Sequence, residues 1–124
     1  MGDSTQRRAS GAPSAVQPSD RAQARRGLRA ALDVAGTRCA MYLLLEASNG
    51  TSRFEGFVIR TGMSEAVVAK RLRALTDAGV FELRPYQEPG QRTRSEYELT
   101  PMGRELLPIV NALASWGAVQ PDDG

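Results

Sequence analysis

At 124 residues the chain has room for one domain and a tail, and its 16 lysines and arginines against 14 aspartates and glutamates leave a net charge of only +2. Cys39 is the single cysteine, which excludes an intramolecular disulfide and a cysteine-rich metal site, and there is no histidine to serve as general base, zinc ligand or pH switch. Hydrolases built on Ser-His-Asp or Cys-His are therefore excluded. With aromatics at 6%, the core is expected to be aliphatic.

Residues 1–22 hold Ser, Thr, Gln, Gly, Pro and Arg with almost no large apolar side chain. That composition predicts a disordered basic tail, because too little surface can be buried to offset the ordering entropy. Its arginines, Arg7, Arg8 and Arg21 among them, are suited to nonspecific phosphate contacts. The pattern turns helical from Arg25, with Leu28, Ala31, Leu32 and Ala35 at helical spacing and Gly36 as the stop. A second helix runs through Cys39, Met41, Leu43, Leu44 and Ala47; apolar nearly all round, it should be the most buried. The longest apolar run, Cys39–Leu45, is too short to cross a membrane, and the N-terminus lacks the apolar stretch of a secretory signal. A soluble, cytoplasmic protein is expected.

The stretch from Thr51 to Gly79 organises the domain. Phe54, Phe57 and Val58 mark a short helix that Thr61-Gly62 breaks, and Met63 turns inward. Ser64 is an N-cap with Glu65 in the first turn, and Val68, Leu72 and Leu75 line one face of a longer helix closed by Gly79. This is the helix-turn-helix pattern. The period then switches to two, predicting strands on either side of "EPGQRTRS", with Glu96 and Glu98 on one strand face able to pair with Arg84. Thr100 caps a last helix with Pro101 at its first position and Pro108 bending it; Leu106, Ile109, Val110, Leu113 and Trp116 form its stripe. The expected architecture is mainly α with a small β component (α+β). It is a winged helix-turn-helix over residues 23–117 with a two- to three-stranded wing sheet, dimerisation helices at both ends, and a frayed stretch at 118–124.

If Val68, Leu72 and Leu75 face the core, Ser64, Glu65, Ala66, Ala69, Lys70 and Arg73 point outward. Lys70 and Arg73 suit phosphate or guanine, Glu65 suits the cytosine amino group, and Ala66 and Ala69 permit close approach. Arg92 and Arg94 stand at the wing tip, where a narrow minor groove or the backbone attracts arginine. Between Thr51 and Leu99, eight basic and seven acidic residues nearly cancel, so placement rather than bulk charge has to make the case for double-stranded DNA. That near-neutrality also permits an alternative, a winged helix used for protein interaction or small-molecule sensing. No cofactor or metal is expected. Cys39, inside an apolar helix, reads as packing.

From Arg29 to Gly117 the chain resembles the HxlR-type transcriptional regulators of bacteria. The resemblance rests on "VAGTRCAMYLLLEA", "SRF", "MSEAVVAKRLRALTDAGVFELRPY" and "EYELTPMGRELLPIVNALASWG", the Y-x-L-T-x-x-G-x-x-L element being among the most specific. It implies a sequence-specific DNA-binding regulator and a homodimer formed through the terminal helices. Leu28, Leu32, Leu106, Ile109, Val110, Leu113 and Trp116 would form the interface, presenting two recognition helices to a near-palindromic operator. An effector held between these helices and the helix-turn-helix is neither identified nor excluded. Three features depart from the family pattern. Cys39 stands where a tryptophan is usual, the frequent cysteine ahead of the first helix has no counterpart in "DRAQARRGL", and the wing turn is about two residues longer. The first two count against redox sensing.

Overall fold

The structure, a computed structural model, describes residues 18–86, 89–90 and 94–121. The chain divides into two compact units, Met1–Asp33 and Val34–Gly124. Helix α1 spans Pro18–Ala35, starting well before Arg25 and within the stretch read as tail. Local propensity explains the difference: Ala, Gln and Arg are good helix formers without an apolar stripe, proline is tolerated in a first turn, and Asp20 there opposes the helix dipole.

The next helix is α2 (Arg38–Ser48), whose N-cap Thr37 accepts a hydrogen bond from the Ala40 amide at 3.0 Å. α3 (Phe54–Thr61) ends at Gly62, which takes φ 71°, a left-handed conformation that an L side chain rarely adopts. The Thr61 hydroxyl tightens that corner by donating to the Phe57 carbonyl at 2.7 Å and accepting from the Met63 amide at 3.3 Å. Ser64 then caps α4 (Glu65–Asp77), its Oγ accepting from the Val67 amide at 3.2 Å. Helix, glycine turn and capped helix form the expected helix-turn-helix.

Strands β1 (Phe81–Tyr86) and β2 (Arg94–Leu99) pair antiparallel, Phe81 opposite Leu99 and Arg84 opposite Glu96. A single bridge between Arg53 and Glu96, with the Tyr97 amide donating to the Ser52 carbonyl at 2.7 Å, adds the trace of a third strand. This ties the wing to the start of α3.

Thr100 locks the hairpin to the next helix. Its hydroxyl caps α5 (Pro101–Arg104) by accepting from the Gly103 amide at 3.0 Å, and it donates back to the Gly79 carbonyl. A Cβ on Gly103 would overlap the Val80 carbonyl oxygen, so only glycine allows this approach. The Thr-x-x-Gly spacing thus has a mechanical reason.

The last helix is not one bent helix but two. α5 stops at Arg104, four residues before Pro108, and α6 (Leu107–Ala118) starts afresh with Pro108 in its first turn. Proline has no amide for the Arg104 carbonyl and its ring would strike that group, so the chain breaks instead of bending. The core is mainly aliphatic, as the composition suggests, with one aromatic contact set within it. Phe57, Phe81 and Tyr97 meet edge to face, with ring centroids 6.0–6.4 Å apart, among Leu43, Leu44, Val68, Leu72, Leu75 and Val80. Few aromatics sufficed because three of them converge.

Candidate nucleic-acid interface

α4 buries Val68, Leu72 and Leu75 completely or nearly so. Helical geometry turns its remaining residues away from the core. Ser64, Glu65, Ala66, Lys70 and Arg73 are exposed as expected, while Ala69 is half-buried at the edge of the face. Two residues that the sequence reading omitted join them. Val67 is 44% exposed, and Ala74 is exposed one turn beyond Lys70. The signal for both was available in the helical period once Val68, Leu72 and Leu75 were taken as inward.

The electrostatics of this face follow from where the acids go. On the wing, Arg84 Nε holds Glu98 Oε1 at 2.7 Å and Arg84 Nη2 lies 3.5 Å from Glu82. Glu96 stands opposite Arg84 but turns to the Ser52 hydroxyl at 2.9 Å and to Arg53 at 3.8 Å. The expected sharing of Arg84 by Glu96 and Glu98 is therefore met by Glu98 alone, since the bridge to Arg53 claims Glu96. Among the described residues, no ion pair engages Lys70 or Arg73. Near-neutral bulk charge thus coexists with a helix face whose cations enter no ion pair with the described acids. Such a face can meet phosphate oxygens or the acceptor edges of guanine.

Of the wing arginines, Arg92 lies outside the described residues. Arg94 is placed by its backbone, opposite Tyr86 at the outer end of the hairpin.

The HxlR-like helix-turn-helix family model matches residues 34–123. The chain belongs to this family. It is 34% identical over 87 residues to an uncharacterized HTH-type transcriptional regulator of Mycobacterium tuberculosis, an alignment covering 70% of this chain and 54% of that protein. It therefore spans about half the length of that relative. Against the HTH-type regulator YtfH of Escherichia coli the identity is 33%, covering 64% of this chain and 63% of the other. Among solved structures, the redox regulator HypR in its oxidized form superposes with a TM-score of 0.69 at 29% identity, covering 77% of this chain and 98% of that one. PA1607, described as a transcription factor, gives 0.65 at 33% identity, covering 75% and 65%.

Within this HxlR-like chain the seven apolar residues assigned to dimerisation separate. Leu28 and Leu32 on α1 are exposed, and so are Ile109, Leu113 and Trp116 on α6, the last at 65%. Val110 is instead 5% exposed and belongs to the core, and Leu106 packs against that core half-buried. Those two serve the monomer. Ile109, Leu113 and Trp116 recur at helical spacing and line, with Pro108 and Ala112, a shallow apolar groove along α6.

Cys39 is buried on α2. Burial pushes its thiol above the ordinary value, and the Arg71 charge offsets this only in part. A thiol held protonated is a poor nucleophile.

Proposed function

We propose that this HxlR-like chain is a sequence-specific DNA-binding transcriptional regulator that acts as a homodimer in the cytoplasm. The observation that carries the reading is the outward face of α4, where, among the described residues, Lys70 and Arg73 enter no ion pair on a helix anchored by Val68, Leu72 and Leu75. A recognition helix presents its N-terminal half to base edges in the major groove. Lys70 and Arg73 reach guanine acceptors or phosphate, Glu65 accepts from the cytosine amino group, and Ala66 and Ala69 keep the helix close. Ser64 uses an oxygen lone pair for its cap, which leaves its hydroxyl proton for a phosphate. Arg92 and Arg94 on the wing contact the backbone or minor groove.

The homodimer rests on the apolar groove of α6, with Leu28 and Leu32 of α1 as further apolar surface. Two-fold pairing would set two α4 helices one DNA turn apart, matching a near-palindromic operator. The test is selection of bound duplexes from a random pool, followed by titration at two salt concentrations. The expected result is an inverted repeat with half-sites about 10 bp apart and binding that weakens as salt rises. Failure to bind any duplex at low salt would overturn the reading in favour of a protein-interaction module.

A further inference from the structure

Val67 is an exposed branched side chain in the first turn of α4. It is 44% exposed and does not pack against the core, unlike its neighbour Val68, which is fully buried. A valine on a helix surface lowers helix propensity and, left in water, gains nothing from burial. Single exposed apolar residues are common, so exposure alone says little. Its setting says more.

Three features set this position apart. It lies in the N-terminal half of α4, the part of a recognition helix that faces base edges. Its amide is fixed by the Ser64 hydroxyl at 3.2 Å, and a valine in a helix holds essentially one χ1 rotamer. The methyl groups are thus placed before any partner arrives, and little side-chain entropy remains to be lost on contact. Ala74, exposed two turns on along the same stripe as Val67, has no length to hold the helix away from a surface, so the short side chain of Val67 beside it can touch what Lys70 reaches over.

We infer that Val67 is a specificity-determining residue that reads the 5-methyl group of a thymine in each operator half-site. The inference rests on the proposal that α4 enters the major groove. In that groove thymine alone among the four bases presents a methyl group, and an apolar side chain is the group that recognises it. Lys70 and Arg73 select acceptors and Glu65 a donor, so Val67 supplies the one kind of contact that the charged residues of this face lack.

The test uses the operator selected by the intact protein. Each thymine is replaced in turn by deoxyuridine, which deletes the methyl group and leaves every hydrogen bond of the base pair. The wild-type protein is expected to lose about three- to fivefold in affinity at one thymine per half-site, the worth of one buried methyl group. Val67→Ala should bind the thymine and uracil duplexes equally, with its thermal unfolding undiminished because alanine is the better helix former. If Val67→Ala discriminates thymine from uracil as the wild type does, or if the wild type is indifferent to every replacement, the assignment to Val67 is overturned while groove binding stands. If the wild type binds no duplex, both fall together.

Discussion

Helices α4 and α6 both fasten one face to the same core, α4 through Val68, Leu72 and Leu75 and α6 through Val110, yet their opposite faces carry contrasting chemistry. α4 exposes Lys70 and Arg73 with Glu65 and Asp77, small residues and a single valine; α6 exposes Ile109, Leu113 and Trp116. A face whose Lys70 and Arg73 enter no ion pair among the described residues suits a polyanion, and an apolar face suits a second protein surface. The difference teaches that the core does not dictate either partner. It holds two helices still while their outer residues choose.

The largest expected effect comes from breaking what both helices share. Gly103 sits where β1 begins and α5 turns toward α6, and a Cβ there would collide with the backbone of Val80. Gly103→Ala should lower stability by roughly 3 kcal/mol or more, since the clash is with a carbonyl that cannot rotate aside. Thermal unfolding followed by circular dichroism would show it, and DNA binding and self-association should fall together. A variant as stable as the wild type would mean that the close approach is not needed.

Next in size is a change confined to the α6 face. Leu113 is half exposed in the monomer, so Leu113→Asp should alter the monomer's stability by no more than about 0.5 kcal/mol. Placed in an apolar interface, the same carboxylate should weaken self-association about a hundredfold or more, read by sedimentation equilibrium. Retained self-association would move the interface elsewhere.

The α4 side of the comparison can be sharpened through the wing. Arg92→Ala with Arg94→Ala should weaken binding to all duplexes alike and reduce the slope of log affinity against log salt by about 2, roughly 0.9 for each phosphate no longer neutralised. Lys70→Ala should instead redistribute sequence preference, because a base contact carries information that a phosphate contact does not. An unchanged slope in the double variant would remove the wing from the interface.

How far the sequence could carry these assignments depended on what each one required. The inward stripe of α4 and the caps at Ser64 and Thr100 are local properties, set by spacing and by side chains that bond their own backbone, and all were legible. The apolar stripe from Leu106 to Trp116 was legible as a stripe, but it is wider than the core can cover. Which half turned inward depended on where α2 lies, so Val110 and Leu106 looked the same as Ile109 and Leu113. The partner of Glu96 depended on a bridge to Arg53, forty-three positions away, and strand alternation alone could not supply it. The aromatic triad was hidden for the same reason: Phe57, Phe81 and Tyr97 are far apart in sequence and meet only in the fold.

The smallest effect concerns Cys39, on the helix that packs against both α4 and α6. Its thiol is buried and held above its ordinary value, so native alkylation at neutral pH should be slow and should track opening of the core, while denatured protein reacts at once. The same shift fixes a sign in stability. Because the folded thiol ionises at higher pH than the unfolded one, its contribution is fully present below the ordinary 9.0. It falls as pH rises from there through the folded value, where the unfolded chain releases a proton that the folded chain keeps. Urea midpoints of the wild type should therefore drop more steeply above pH 9 than those of Cys39→Ala, which lacks the group. Rapid native alkylation, or parallel pH profiles, would mean that the thiol is open to solvent. The core beneath the two helices would then be less firmly closed than the comparison between their outer faces requires.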